Sequence, residues 1–82
     1  MSRTRDVVEV VARALADHPD AVRVIERVHR GQTVVELFMA PGDLGRVIGR
    51  QGRTASALRT LAGATADLEG TKVLVEFRDE ER

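Results

Sequence analysis

The sequence predicts an α+β fold of order αββααβ, with a three-stranded mixed sheet and three helices packed on one face. Three observations carry this. Apolar residues recur at helical spacing in three segments and alternate with period two in three others. The turn between the first two strands is short enough to make them a hairpin. The last strand follows two helices, and a helical crossover favours parallel pairing with the strand it left. With 82 residues there is room for one core only, so a single domain over 1–82 is expected, ordered over about 4–78 with a short frayed tail at 79–82.

The first helix is read over 4–17. Val7, Val8, Val11 and Leu15 fall near one face with Glu9 and Arg13 opposite, Thr4 is placed to cap it, and Pro19 ends it. Val22, Val24 and Val28 then share one parity while Arg23, Arg27 and His29 share the other, which is a half-buried strand with Glu26 out of pattern. Arg30-Gly31-Gln32 is the turn, and Thr33 to Ala40 the second strand, with Val35, Leu37 and Met39 on one face. Pro41-Gly42 breaks it. Asp43 is read as the cap of a short helix whose Leu44, Val47 and Ile48 are spaced i, i+3, i+4. A longer helix runs over about 53–66, with Ala55, Leu58, Leu61, Ala62 and Thr65 as its buried stripe. Glu69-Gly70-Thr71 turns the chain into a last strand, Lys72 to Arg78, with Val73, Val75 and Phe77 facing in. The only aromatic residues, Phe38 and Phe77, are both assigned to the core.

Composition removes several function classes. The chain has no cysteine, which excludes disulfides and thiolate metal sites, and two histidines are too few for a histidine-built zinc site. No metal or small-molecule cofactor is expected. No apolar run approaches the roughly 20 residues of a membrane span, and the N-terminus lacks the apolar stretch of a signal peptide, so a soluble cytoplasmic protein is expected. Net charge is zero, with 13 basic and 13 acidic residues. The charge is polarised, however. Residues 43–62 hold Arg46, Arg50, Arg53 and Arg59 against the single acid Asp43, which leaves the rest of the chain acidic.

Those arginines surround two glycines. Gly49-Arg50-Gln51-Gly52 joins the short helix to the long one, so the loop feeds a helix N-terminus, where free amide hydrogens and the positive end of the dipole meet. Glycine lets another backbone approach closely. A phosphate is the anion that suits this arrangement. Alone, the four residues also fit a helix C-cap followed by a tight turn. The phosphate loop of nucleotide-binding enzymes requires Gly-Lys after a strand, and the dinucleotide fingerprint requires a third glycine; neither is present.

Val47-Ile48-Gly49-Arg50-Gln51-Gly52-Arg53 resembles the Ile-Gly-x-x-Gly signature of the KH domain, and the order αββααβ is that of its type II form. The resemblance extends over nearly the whole chain to the small stand-alone bacterial KH proteins called KhpA: Asp17-His18-Pro19, Thr33-Val34-Val35-Glu36-Leu37, Ala40-Pro41-Gly42-Asp43-Leu44-Gly45 and Val73-Leu74-Val75-Glu76 all take part. It implies that Gly49, Arg50, Gln51 and Gly52 clamp the backbone of about four unpaired nucleotides of single-stranded RNA. Arg46 and Arg53, with Arg59 as a weaker candidate, would hold phosphates. Val47 and Ile48 would line a base groove opposite the Thr33–Met39 strand, although both fit a core reading equally well. The resemblance also implies a homodimer, pairing with a larger KH protein of the KhpB kind, RNA-chaperone activity, and a link to RNA-based regulation and to cell division or cell shape. The loop between the first two strands, only Arg30-Gly31-Gln32, walls such a groove weakly, which keeps a protein–protein module with vestigial RNA contact as the alternative. An enzyme is unsupported: no paired carboxylates, cysteine nucleophile or histidine with an acid partner is evident.

Overall fold

The computed structural model describes residues 2–79. The expectation for the tail therefore lies, for residues 80–82, outside the described residues. Helix α1 spans Arg3–Leu15 and is followed by one 3₁₀ turn, Pro19–Ala21. Strands β1 (Arg23–His29) and β2 (Gln32–Met39) form the hairpin, α2 covers Pro41–Ile48, α3 covers Arg53–Leu68, and β3 covers Val73–Asp79. The sheet has the order β1-β2-β3, antiparallel between β1 and β2 and parallel between β2 and β3. This is the α+β arrangement that the periodicity predicts.

Local chemistry explains most boundaries. The hairpin loop is the two residues Arg30 and Gly31, with φ of 54° and 77°; such turns twist as the flanking strands do. Pro41 occupies the first turn of α2, where a missing N–H costs nothing. The cap of α1 is Ser2, not Thr4: the Ser2 Oγ accepts the Arg5 N–H at 3.0 Å. Thr4 instead begins the buried stripe Thr4, Val8, Ala12, and its hydroxyl donates to Glu69 at 3.1 Å.

The core lies between the helices and one sheet face, built from Val8, Ala12, Val24, Val35, Leu37, Met39, Val47, Leu58, Ala62 and Val75. In α3 the buried residues are Ala55, Leu58, Ala62 and Ala66, whereas Leu61 is 44% exposed, against expectation. The alanines at 62 and 66 carry the stripe to the other side of Leu58, and their small size suits close packing of α3 beside α1. Val28, expected on the buried face, is 70% exposed. The start of α1 stands over Glu26, whose carboxylate accepts both the amide and the hydroxyl of Ser2 at 3.1 Å, and Val28 lies beyond it toward the hairpin end. Phe38 is not a core residue. Its parity places it on the open sheet face, half-buried, with the Arg23 guanidinium 5.0 Å from the ring centroid. Glu36 on the same face binds Arg27 and Arg78, at 3.4 and 3.0 Å.

Candidate functional site

Helix α2 ends at Gly49, whose N–H donates to the Gly45 carbonyl at 3.0 Å and whose backbone takes φ 76°, ψ 174°. A side chain is excluded there twice over. The φ is one that L-residues rarely adopt, and a Cβ would stand 2.6 Å from the Thr54 Oγ1. Two successive left-handed residues follow, Gln51 (φ 59°, ψ 23°) and Gly52 (φ 70°, ψ 17°), and the Gly52 N–H donates to the Gly49 carbonyl at 3.2 Å. This winding turns the chain back so that α3 starts within two residues of the turn. Gly52 stands at the cap position of α3 without a side chain to close it, and the first turn of α3 contains no acid. The leading amides of a 16-residue helix therefore have no side-chain cap among the described residues.

The arginines expected at the site are disposed unequally. Arg53 is exposed, and its Nη2 donates to the Gln51 side-chain oxygen at 3.0 Å, which holds both side chains at the loop. Arg46 leans away, forming an ion pair with Asp17 at 3.1 Å beyond the end of α1; both side chains are more than half exposed. Arg59 lies over the Phe77 ring, 4.7 Å from its centroid. Of the pair read as groove or core, Val47 is fully buried and supports the loop from beneath, while Ile48, 36% exposed, offers apolar surface beside Gly49. Strand β2 is central in the sheet, and its helix-facing Val35, Leu37 and Met39 are fully buried. The strand with a free edge on the side where α2 and α3 pack is β3.

Gly45, within the run 40–45 that carries the resemblance but not among the site residues expected from the sequence, lies beside them. It is exposed, lies in the helix three residues before Ile48, and a Cβ there would meet nothing within 4 Å. Neither packing nor φ calls for glycine here, although glycine weakens a helix interior. What its absence of side chain provides is bare backbone next to Ile48 and Gly49. A glycine inside an apolar helical spacing, read as an anomaly, was the available signal.

Asp43 is a brace rather than a helix cap. The cap position of α2 is Ala40, and Asp43 sits in the first turn, 3% exposed. Its carboxylate accepts the His18 N–H at 2.8 Å, with the His18 Nδ1 3.5 Å away. Burial alone would raise this carboxyl, but the N–H groups of His18 and Asp17 hold it below the ordinary carboxylate range. Together with Arg46 and Asp17 it fastens α2 to the α1–β1 connection. Among the described residues no group of three or more His, Cys, Asp or Glu could hold a metal ion, and no helix is long and apolar enough to cross a membrane. A shallow depression lined by Arg5 and Val24 to Val28 lies on β1, at the opposite edge of the sheet from β3.

Comparison with known proteins places the chain in a family. The family model described as KhpA/KhpB, KH domain, matches residues 5–77. A protein of Caldanaerobacter subterraneus subsp. tengcongensis named RNA-binding protein KhpA is 50% identical over 73 residues, covering 88% of this chain and 96% of its own. Proteins of the same name from Leifsonia xyli subsp. xyli and Aquifex aeolicus are 50% identical over 70 residues and 45% identical over 77; the matches cover 85% and 94% of this chain and 90% and 98% of theirs. The chain belongs to the KhpA/KhpB family of KH domains, a family of binding proteins and not of enzymes.

Proposed function

We propose that this chain is a single KH domain that binds single-stranded RNA, with Gly49, Arg50, Gln51 and Gly52 clamping the backbone of about four nucleotides. One observation carries the reading: the glycine-bracketed turn leaves the N-terminus of α3 without a side-chain cap and with no acid in its first turn. A phosphate fits there and the backbone amides supply its hydrogen bonds. Arg53 adds charge at the loop, and Arg46 reaches the same strand if it leaves Asp17. Gly45 and Ile48 form the near wall of the base groove, with Val47 holding that wall in place. The relatives named RNA-binding protein KhpA support RNA as the partner. The two-residue hairpin loop leaves the groove shallow, so affinity is modest, which suits an RNA chaperone that must release its substrate; the reading implies a cytoplasmic protein.

The test is the salt dependence of binding. If the clamp neutralises about 2 to 3 phosphates, log K falls with log salt with a slope of roughly −1.4 to −2 for a single strand. No binding to titrate at low salt would contradict the reading.

A specific observation favours self-association alongside RNA binding. On α3, Ala57, Leu61, Ala64 and Leu68 form an exposed apolar row at spacings of four, three and four, with Leu61 and Leu68 44% and 86% exposed. Helix α1, packed along α3, carries a further exposed apolar residue, Val10, at 68% exposure. A second copy of this chain would bury that row, and so would a KhpB-like KH protein with a matching helix. Sedimentation of the Leu68→Glu, Val10→Glu variant tests it: a monomer is expected where the unsubstituted protein is a dimer, and two monomers would contradict it.

A further inference from the structure

Resting on the RNA-binding reading, we infer that Arg59, seated on the Phe77 ring, is the stacking platform for one base of the bound strand. Unpaired bases need a flat surface, and a guanidinium plane serves as well as an aromatic ring. The chain has only two aromatic residues, and Phe38 lies on the open face of the sheet under Arg23. Phe77 is the other. It is half-buried, packs against the core from β3, and carries the Arg59 guanidinium 4.7 Å from its ring centroid. A ring fixed by the core limits the motion of the side chain resting on it, so the plane is held in place before a base arrives.

Among the described residues the outer side of that plane is open. Arg59 is exposed, and its neighbours along α3, Ser56 and Gly63, are small; a Cβ at Gly63 would meet nothing within 4 Å. Arg5, Arg13, Arg27, Arg46 and Arg78 each pair with a carboxylate, whereas among the described residues Arg59 has a ring beneath it and no carboxylate partner. The location also fits. Arg59 follows Gly52 by seven residues, two turns along the same side of α3, which is about 10 Å at the rise of an α-helix. A strand clamped at the loop over about four nucleotides covers that distance. Arg59 thus acts through its plane, as distinct from the phosphate contacts at the loop.

A thermodynamic cycle between protein and RNA tests this. The probe is the best-bound fluorescent RNA hexamer from a mixed pool, together with its six single-abasic derivatives, titrated against the unsubstituted protein and Arg59→Lys, which keeps the charge and loses the plane. The expected result is a loss of about tenfold for Arg59→Lys on the intact hexamer, a similar loss when one particular base is removed, and no further loss when both changes are combined. The salt slope should be the same for both proteins. A loss of equal size on the intact hexamer and on all six derivatives would overturn the platform, as would no loss at all. Thermal melts keep a role in joining α3 to β3 separate, since a change confined to stability moves the melt and leaves the cycle uncoupled, which also overturns it. Absence of binding by the unsubstituted protein would overturn the RNA reading itself, whereas binding without a position-specific coupling overturns only the platform.

Discussion

Helices α1 and α3 lie side by side, and they begin in opposite ways. At the start of α1 the protein supplies acceptors for its own amides: Ser2 takes the Arg5 N–H, and Glu69, at the far end of α3, takes the Arg3 N–H at 3.2 Å. The Arg3 amide, helped by the hydroxyl and amide of Thr4, outweighs desolvation and holds the Glu69 carboxyl below its ordinary range. At the start of α3 no such acceptor stands among the described residues, only Gly52 and a first turn without an acid. The same orphan amides are thus closed where the fold needs anchoring and left open where a ligand would supply the anion. An N-terminus is thus marked as a binding feature by what the protein withholds from it.

Substitutions can break or sharpen this contrast. The largest effect is expected at the turn itself. Gly49→Ala forces a Cβ against Thr54 and strains a positive φ, which should cost on the order of 2 kcal/mol and abolish RNA binding, read by thermal melts and anisotropy. Ser2→Ala removes the closure of α1; a loss of about 1 kcal/mol is expected, with RNA affinity unchanged. Gly45→Ala should act with opposite signs, adding about 1 kcal/mol of helix stability while weakening RNA binding, because the new methyl group fills the near wall of the groove. Arg53→Glu gives α3 the acid that α1 borrows from Glu69. A gain of about 0.5 kcal/mol in stability should accompany a marked fall in RNA affinity. The mildest test is pH. Asp43 and Glu69 both have lowered carboxyl pKa values, so their contribution is complete above the ordinary carboxylate range and is lost as pH falls through the lowered values. Melting temperature should hold steady above about pH 5 and drop below about pH 4.

The fold was legible wherever the signal was local. Alternation in Val35, Leu37 and Met39, the Arg30-Gly31 turn and the two-helix crossover were enough for the sheet and its mixed pairing. The features that escaped depend on distant partners. Thr4 lost the capping role because Glu69, 65 residues away, takes its hydroxyl. Asp43 braces His18, 25 residues away, and nothing near it in sequence says so. Leu61 reads as core by spacing, but the buried stripe of α3 runs through Ala62 and Ala66 instead and leaves Leu61 44% exposed. At the site, the Gly-x-x-Gly turn and its arginines were visible because their chemistry is carried by consecutive residues. That β3, and not β2, has the free edge beside α2 and α3 was not, because it depends on where β2 sits in the sheet. The pairing of Arg59 with Phe77 joins residues 18 positions apart on different elements, and no periodicity marks it.

The open turn before α3 is proposed as the RNA clamp. Its most direct test is anisotropy with a pool of short single-stranded RNAs at low salt, comparing the unsubstituted protein with the double variant Arg50→Asp, Gln51→Asp. This places two negative charges where a phosphate is proposed to sit, and circular dichroism verifies that the variant is folded. The unsubstituted protein is expected to bind and the folded variant is not; equal binding by both would rule out the turn as the clamp.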